Sequence, residues 1–134
     1  MKPINILHIE DDEEDVLLVK LILKDAGLSF TQNVVSSKQS LLQALKDNLP
    51  DIVLSDHSLP AFNSLEALHI VKEKYENLPF ILVTGNTSEE FAVKLIKAGA
   101  DDYILKDRMQ RLPSALRKAL DKSELAFSKI KLEE

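Results

Sequence analysis

The segment Ile4–Asp15 reads INILHI followed by EDDEED, so an apolar run ends directly in six consecutive carboxylates. Further short apolar runs lie at 30–35, 52–55, 80–83 and 103–105. The runs at 4–9, 52–55 and 80–83 are almost continuously apolar, which is typical of strands that helices cover on both faces of a parallel sheet. The sequence therefore predicts five strands, at least three of them buried on both sides.

Segments with helical spacing separate these strands. Apolar residues recur at intervals of three and four in Val16–Leu23, Leu41–Leu45, Leu65–Tyr75, Phe91–Ala98 and Leu112–Leu120. Residues that commonly begin and end helices agree with this spacing. Helix starts are predicted by the pairs Ser36 with Gln39, Asn63 with Glu66 and Thr87 with Glu90, and helix ends by Gly27 and Gly99. Strict alternation of strand and helix predicts an α/β fold, a doubly wound five-stranded parallel sheet of order 2-1-3-4-5, flavodoxin-like.

Composition limits the classes of protein that this chain can be. It has 134 residues, which is one domain, a formal net charge of -5 and no cysteine. Disulfide frameworks, zinc–thiolate sites and iron–sulfur clusters are therefore excluded. No basic run suggests nucleic acid, and no apolar run approaches the ~20 residues of a membrane span. We expect a cytoplasmic protein without a nucleic-acid or membrane partner.

Polar side chains follow four of the predicted strands. Glu10 and Asp11 follow the first strand, Asp56 the third, Thr84 the fourth and Lys106 the fifth. In the predicted order these strands are neighbours, so the side chains should converge at one edge of the sheet. Two carboxylates 4 Å apart repel by ~4 kcal/mol at an effective dielectric near 20, which favours a cation between them.

The ligand types select the cation. Oxygen ligands without histidine or cysteine favour Mg²⁺, with Mn²⁺ as the alternative. A hydroxyl and an ammonium facing that cation would form an anion site, and an aspartate there can accept a phosphoryl group as an aspartyl phosphate. From Glu13 to Asp15 we expect only a solvated helix start.

Four segments, 4–13, 52–60, 80–85 and 98–106, together resemble the receiver (response regulator, CheY-like) domains of bacterial two-component signalling. The resemblance covers about residues 3–121, which leaves 122–134 as a helical extension or a frayed tail. It implies that Asp56 is the phosphoacceptor and that Mg²⁺ is bound by the acidic pair, Asp56 and a backbone carbonyl. It further implies that a hydroxyl and a lysine hold the phosphoryl oxygens beside a switch aromatic. In this chain these residues are Glu10, Asp11, Asp56, Ser58 (carbonyl), Thr84, Lys106 and Tyr103.

The chain departs from the family pattern after the lysine, where Asp107 replaces the usual proline. This leaves open a pairing of Asp107 with Lys106. The histidines are expected to be structural. We expect His8 to be a packed core or edge residue, His57 to point to the opposite side of its strand end, and His69 to lie on a helix surface.

The resemblance implies a phosphorylation-controlled switch in a phosphorelay. A histidine kinase or a phosphotransfer protein would supply the phosphoryl group, and an effector protein would bind the face of the fourth helix, fifth strand and fifth helix. Such a domain is a monomer or weak homodimer, and it is no enzyme beyond assisting its own phosphoryl transfer and dephosphorylation. Alternatives are a phosphorylation-independent interaction module, the receiver segment of a larger signalling protein, and a Mg²⁺-dependent phosphohydrolase. Such hydrolases generally need a second aspartate at the position of Ser58.

Overall fold

The computed structural model describes residues 2–57, 59, 62–85 and 89–133, with side chains as far as Leu125. Five strands and five helices alternate along the chain, with a short 3-10 helix before the last helix. The elements are β1 (Ile4–Ile9), α1 (Glu13–Asp25), β2 (Phe30–Val35), α2 (Lys38–Asp47), β3 (Ile52–Ser55), α3 (Ser64–Lys74), β4 (Phe80–Thr84), α4 (Glu89–Lys97), β5 (Asp102–Leu105), the 3-10 helix Met109–Arg111 and α5 (Leu112–Glu133).

The five strands form one parallel sheet in the order β2-β1-β3-β4-β5. This confirms the predicted doubly wound fold. The bounds of β1, β2 and β3 agree with the predicted strands, whereas β4 continues one residue further, to Thr84, and β5 begins one residue earlier, at Asp102. Both differences lie at strand ends, where polar residues still pair with the neighbouring strand.

The sheet separates two apolar clusters. Side chains of α2, α3 and α4 pack on one face, around Leu41, Leu68 and Leu95, and those of α1 and α5 pack on the other, around Leu23 and Leu116. Every residue of β3 and β4 is buried. Each fully buried aliphatic side chain contributes about 1.5–3 kcal/mol to folding, so this two-sided burial explains why these strands are continuously apolar.

Helix ends show which cap signals hold. Asn63 caps α3 by accepting a hydrogen bond from the Glu66 amide, as predicted. The predicted cap at Ser36 is wrong by one residue, because Ser37 caps α2 and exchanges hydrogen bonds with Ser40. A serine at the third helical position can thus replace the expected Glu or Gln. The predicted cap at Thr87 lies outside the described residues.

Glycines end two helices in the left-handed region. Gly27 follows α1 with φ of 80° and Gly99 follows α4 with φ of 121°, as their positions predicted.

The last helix is much longer than the strand that precedes it. The 22 residues of α5 span about 33 Å, while the four residues of β5 span about 13 Å. Its backbone is helical through Glu133, and the side chains of Phe127 and Ile130 lie outside the described part. Among the described residues, no helix combines the length and apolar character that crossing a membrane requires.

Candidate functional site

Backbone hydrogen bonds extend the sheet by one residue and so fix the positions of the site residues. The amide of Glu10 donates to the Val35 carbonyl, that of Asp56 to the Ile9 carbonyl, and that of Lys106 to the Thr84 carbonyl, each at 2.9 Å. Each site residue is the first after its strand and is still held by the neighbouring strand. Glu10, Asp56 and Lys106 therefore lie at the carboxyl edge of the sheet, where the sequence predicted that they would converge.

Three carboxylates lie together at this edge. One side-chain oxygen of each of Glu10, Asp11 and Asp56 lies within 4.8 Å of the other two. Glu10 is buried, and its Oε2 accepts hydrogen bonds from the amides of Asp11 (3.2 Å) and Asp12 (3.4 Å). The oxygens present a hard, anionic donor set that fits a divalent cation such as Mg²⁺.

The Lys106 ammonium lies beside two of these carboxylates and beside Asp15 of α1. Its Nζ lies 2.9 Å from Glu10 Oε1, 2.6 Å from Asp15 Oδ2 and 3.5 Å from Asp56 Oδ1. The prediction that Asp15 belongs only to a solvated helix start is wrong. Asp15 is the third residue of α1, whereas Asp11 precedes that helix, so no helical spacing relates the two residues. No local sequence pattern identifies the contact of Asp15 with Lys106, because the two residues lie 91 positions apart.

The alternative partner for Lys106 does not engage it. Asp107 is exposed, and the Lys106–Asp107 peptide is trans. The ammonium reaches toward the carboxylates of β1, α1 and β3 instead. The replacement of the family's usual proline therefore leaves the lysine within reach of Asp56.

Burial and crowding set the charges of the site. Burial, together with the charge of Asp56, raises the pKa of Glu10 to about 7, although the hydrogen bond from Lys106 opposes the shift. Burial by itself would lower the pKa of Lys106, but hydrogen bonds to Asp15 and Glu10 and the charge of Asp56 outweigh it, so the pKa is raised. Lys106 is an ammonium throughout the physiological pH range, and the site has an excess of negative charge.

Residues 6–117 match the sequence profile of the family described as "Response regulator receiver domain". The chain belongs to this family. Its curated relatives include the regulatory protein LuxO of Vibrio vulnificus (strain YJ016), 29% identical over 116 residues, which are 83% of this chain and 25% of LuxO. They also include the DNA-binding transcriptional regulator NtrC of Klebsiella pneumoniae, 33% identical over 98 residues, which are 73% of this chain and 20% of NtrC.

The receiver domain also resembles solved structures. A CheY-like response regulator receiver domain protein from Methanospirillum hungatei JF-1 superposes with a TM-score of 0.80 at 27% identity, covering 93% of this chain and 99% of that one. The chain spans about a quarter of the length of the LuxO relatives that it matches.

Two of the three remaining predicted site residues of the receiver domain lie on β4 and β5. Thr84 is almost completely buried at the end of β4, where its carbonyl accepts the Lys106 amide. Tyr103 is half-buried in β5 and packs against the apolar cluster that α2, α3 and α4 share. Ser58, whose carbonyl the resemblance assigns to the cation, lies outside the described residues.

His57 makes contacts in the receiver domain that sequence reasoning missed. Its amide donates to Asp56 Oδ1 at 2.8 Å, and its ring Nδ1 lies 3.0 Å from Ser64 Oγ. The ring also packs against Phe91 of α4 with 4.1 Å between centroids. His57 therefore joins the end of β3 to α3 and α4. No sequence signal for this pairing is evident, because the three residues come from separate segments.

The other two histidines lie where they were predicted. His8 is completely buried in β1, with its Nδ1 3.0 Å from Gln32 Nε2, and burial lowers its pKa to about 4. His69 is exposed on α3. Neither contributes a ligand to the acidic cluster.

Proposed function

We propose that Asp56 accepts a phosphoryl group and that this modification switches the contacts of the domain with other proteins. The observation that carries the proposal is the position of Asp56, half-buried between two further carboxylates and 3.5 Å from the Lys106 ammonium. The anionic nucleophile thus has a positive charge beside the carboxylate that a dianionic phosphoryl group would approach.

The proposed donor is the phosphohistidine of a histidine kinase or a phosphotransfer protein. A carboxylate oxygen of Asp56 attacks phosphorus, an O–P bond forms, and the P–N bond to the imidazole breaks. The imidazole leaves with the bonding electron pair. Later, water attacks phosphorus and releases inorganic phosphate and the free carboxylate. The domain thus assists its own modification and its reversal, and it needs no other substrate.

The acidic cluster fits a bound Mg²⁺, with Mn²⁺ as a substitute. We assign Asp11, Asp56 and the carbonyl of Ser58 as direct ligands and Glu10 as a ligand acting through water. When bound, the cation would neutralise negative charge on the phosphoryl oxygens. The chain itself keeps the three carboxylates close, which the hydrogen bonds from the Asp11 and Asp12 amides to Glu10 support.

Thr84 and Tyr103 are the proposed switch. The Thr84 hydroxyl and Lys106 would hold phosphoryl oxygens, and Tyr103 would move further into the cluster beside α4 when Thr84 shifts. The phosphoryl group can shift this equilibrium only as far as it contacts the two states unequally. Exposed Val93 and Ile96 on α4 support an effector protein docking on the α4–β5–α5 face.

We propose one receiver domain over residues 1–134, with its core at about 3–121, acting in the cytoplasm as a monomer or weak homodimer. The output is through proteins, since neither nucleic acid nor membrane is an expected partner of this domain. The matched segments of LuxO and NtrC are a quarter or less of those regulators, so a receiver of this kind also occurs within longer chains.

Intact mass spectrometry tests the proposal. We expect the protein to gain the mass of one phosphoryl group when it is incubated with Mg²⁺ and a small phosphoryl donor. Asp56→Asn should abolish the gain, whereas Asp107→Asn, which removes an exposed carboxylate next to the site, should retain it. No gain with any donor would favour a phosphorylation-independent interaction module, and rapid turnover of a phosphomonoester would favour a hydrolase.

A further inference from the structure

The Lys106 ammonium has three N–H donors, and two of them are already used. One hydrogen bond goes to Glu10 Oε1 at 2.9 Å and the other to Asp15 Oδ2 at 2.6 Å. Asp56 Oδ1, on the residue assigned as phosphoacceptor, is further away at 3.5 Å. The shortest contact of the lysine is therefore with α1 and not with Asp56.

The position of Asp15 on α1 explains this contact. Asp12 caps the helix through the Glu14 amide at 2.9 Å, which fixes where α1 begins relative to the end of β1. Asp15 is the third residue of the helix, where the helix dipole stabilises a carboxylate. Its side chain is 27% exposed and that of Lys106 is 15% exposed, so solvent screens the pair only in part.

A phosphoryl group on Asp56 would need the same donors. Its oxygens carry up to two negative charges, and the ammonium is the cation nearest to Asp56 Oδ1 among the described side chains. To donate more than its one remaining N–H to these oxygens, Lys106 must release Asp15 or Glu10. Glu10 is buried and held by two backbone amides, whereas Asp15 is partly exposed and can turn to water. Asp15 is therefore the partner that is exchanged.

We propose that Asp15 is a positioning residue that holds the Lys106 ammonium toward α1 and thereby lowers the affinity of the Asp56 site for a phosphoryl group. The inference rests on the proposed function of that site. Asp15 competes with the incoming group for the lysine. The free energy of the hydrogen bond between Lys106 and Asp15 is lost when the phosphoryl group binds, and this loss weakens phosphoryl binding. The unmodified state is favoured by this competition.

The test uses beryllium trifluoride with saturating Mg²⁺ as a phosphoryl mimic, with affinity followed by amide NMR. We expect Asp15→Asn to bind the mimic about tenfold more tightly than the wild-type protein, since one charge-assisted bond to the lysine is removed. Glu14→Gln removes one carboxylate from the same helical turn, where Glu14 is exposed, and should change affinity less than about twofold.

A double-mutant cycle separates competition for the lysine from a general loss of negative charge. In a Lys106→Met background, Asp15→Asn should no longer raise affinity, because there is no ammonium to release. An Asp15→Asn protein that binds the mimic equally or less tightly than wild type overturns the inference. A gain that persists in the Lys106→Met background also overturns it.

Urea unfolding of each variant establishes that it is folded before affinities are compared. If the wild-type protein neither binds the mimic nor gains a phosphoryl group, the proposed function is wrong and the inference falls with it. If the wild type does bind and Asp15→Asn shows no gain, the inference alone is wrong.

Discussion

Replacing His8 with valine should remove a pH-dependent loss of stability from the domain. His8 is completely buried in β1, and Gln32 Nε2 lies 3.0 Å from its Nδ1. Because a glutamine amide nitrogen donates, the ring proton belongs on Nε2, which is buried without a hydrogen-bond partner among the described residues. Burial, together with the charge of Lys106, lowers the pKa of His8 to about 4, although the charge of Asp15 opposes the shift.

The sign and size of the effect follow from linkage. The unfolded chain has an ordinary histidine pKa of 6.5, so between pH 6.5 and pH 4 it binds a proton that the folded domain does not. Lowering the pH therefore destabilises the fold, and the stability that the neutral imidazole contributes is fully present only above pH 6.5. At 1.36 kcal/mol per pKa unit, the loss between pH 7 and pH 5 is about 2 kcal/mol.

Glu10 titrates with the opposite sign and must be separated from His8. Its pKa is raised to about 7 in the folded domain, from 4.5, so the folded state binds the extra proton as the pH falls and gains stability. The slope of the wild-type protein alone thus combines two opposing contributions. The difference between wild type and His8→Val cancels the contribution of Glu10 and isolates that of the histidine.

Urea unfolding at pH 7 and pH 5, in chelator and at constant ionic strength, measures this difference. We expect the free energy of unfolding of His8→Val to rise relative to wild type by about 2 kcal/mol between the two pH values. His69→Gln, which changes an exposed histidine on α3, should leave the wild-type pH dependence unaltered. If wild type and His8→Val respond identically to pH, His8 does not stay neutral in the fold and the reasoning is refuted.

Three further predictions concern the cation site and the backbone. Asp11→Asn removes a carboxylate of the acidic cluster and should weaken Mg²⁺ binding at least about tenfold in a calorimetric titration; unchanged affinity would exclude Asp11 as a ligand. Gly99→Ala places a side chain on a residue with φ of 121° and should lower the free energy of unfolding by about 1–3 kcal/mol. At Gly85 an added methyl group would lie at an ordinary 3.7 Å from Lys106 Cδ, so the matched control Gly85→Ala should stay within about 0.5 kcal/mol of wild type in thermal unfolding. Lys72→Met removes the hydrogen bond from Lys72 Nζ to the Leu78 carbonyl, which is 2.6 Å long, and should lower the free energy of unfolding in urea by about 2 kcal/mol. A decrease of less than about 0.5 kcal/mol would contradict this prediction.

The fold could be predicted from the sequence because short apolar segments alternate clearly with longer segments of helical spacing. The runs at 52–55 and 80–83 are almost continuously apolar, which in the structure corresponds to complete burial of β3 and β4 between two helical layers. The strand ends then positioned Glu10 and Asp56 correctly, since neighbouring parallel strands end at one edge. These inferences depend on periodicity and on the order of the strands, and both can be obtained from one chain.

Contacts between separate segments could not be obtained in this way. Asp15 lies in an acidic segment that is typical of a solvated helix start, and only the three-dimensional course of α1 brings it to Lys106. The pairing of His57 with Phe91 joins a strand end to a helix more than thirty positions later, without any local pattern. The shift of the α2 cap from Ser36 to Ser37 arises because adjacent serines offer the same group, and tertiary packing decides between them.

The residues of the site lie on both faces of the sheet, each face being covered by one of the two apolar clusters. Side chains alternate along a strand, so Glu10 lies on the face of Ile6 and His8, and Lys106 lies on the face of Ile104, toward α1 and α5. Tyr103 is on the other face with α2, α3 and α4, and His57 contacts that side through Phe91.

In the proposed function, the acidic residues and Lys106 thus lie on one face of the sheet, and the proposed switch residue Tyr103 lies on the other. On the proposed function, substitutions under α1 should tune the lifetime of the modification while leaving α4 and β5 unchanged, and substitutions on the exposed face of α4 should change partners while leaving Glu10 and Lys106 in place. A receiver domain that works as proposed can therefore acquire new partners at α4 without changes to Glu10, Asp56 and Lys106.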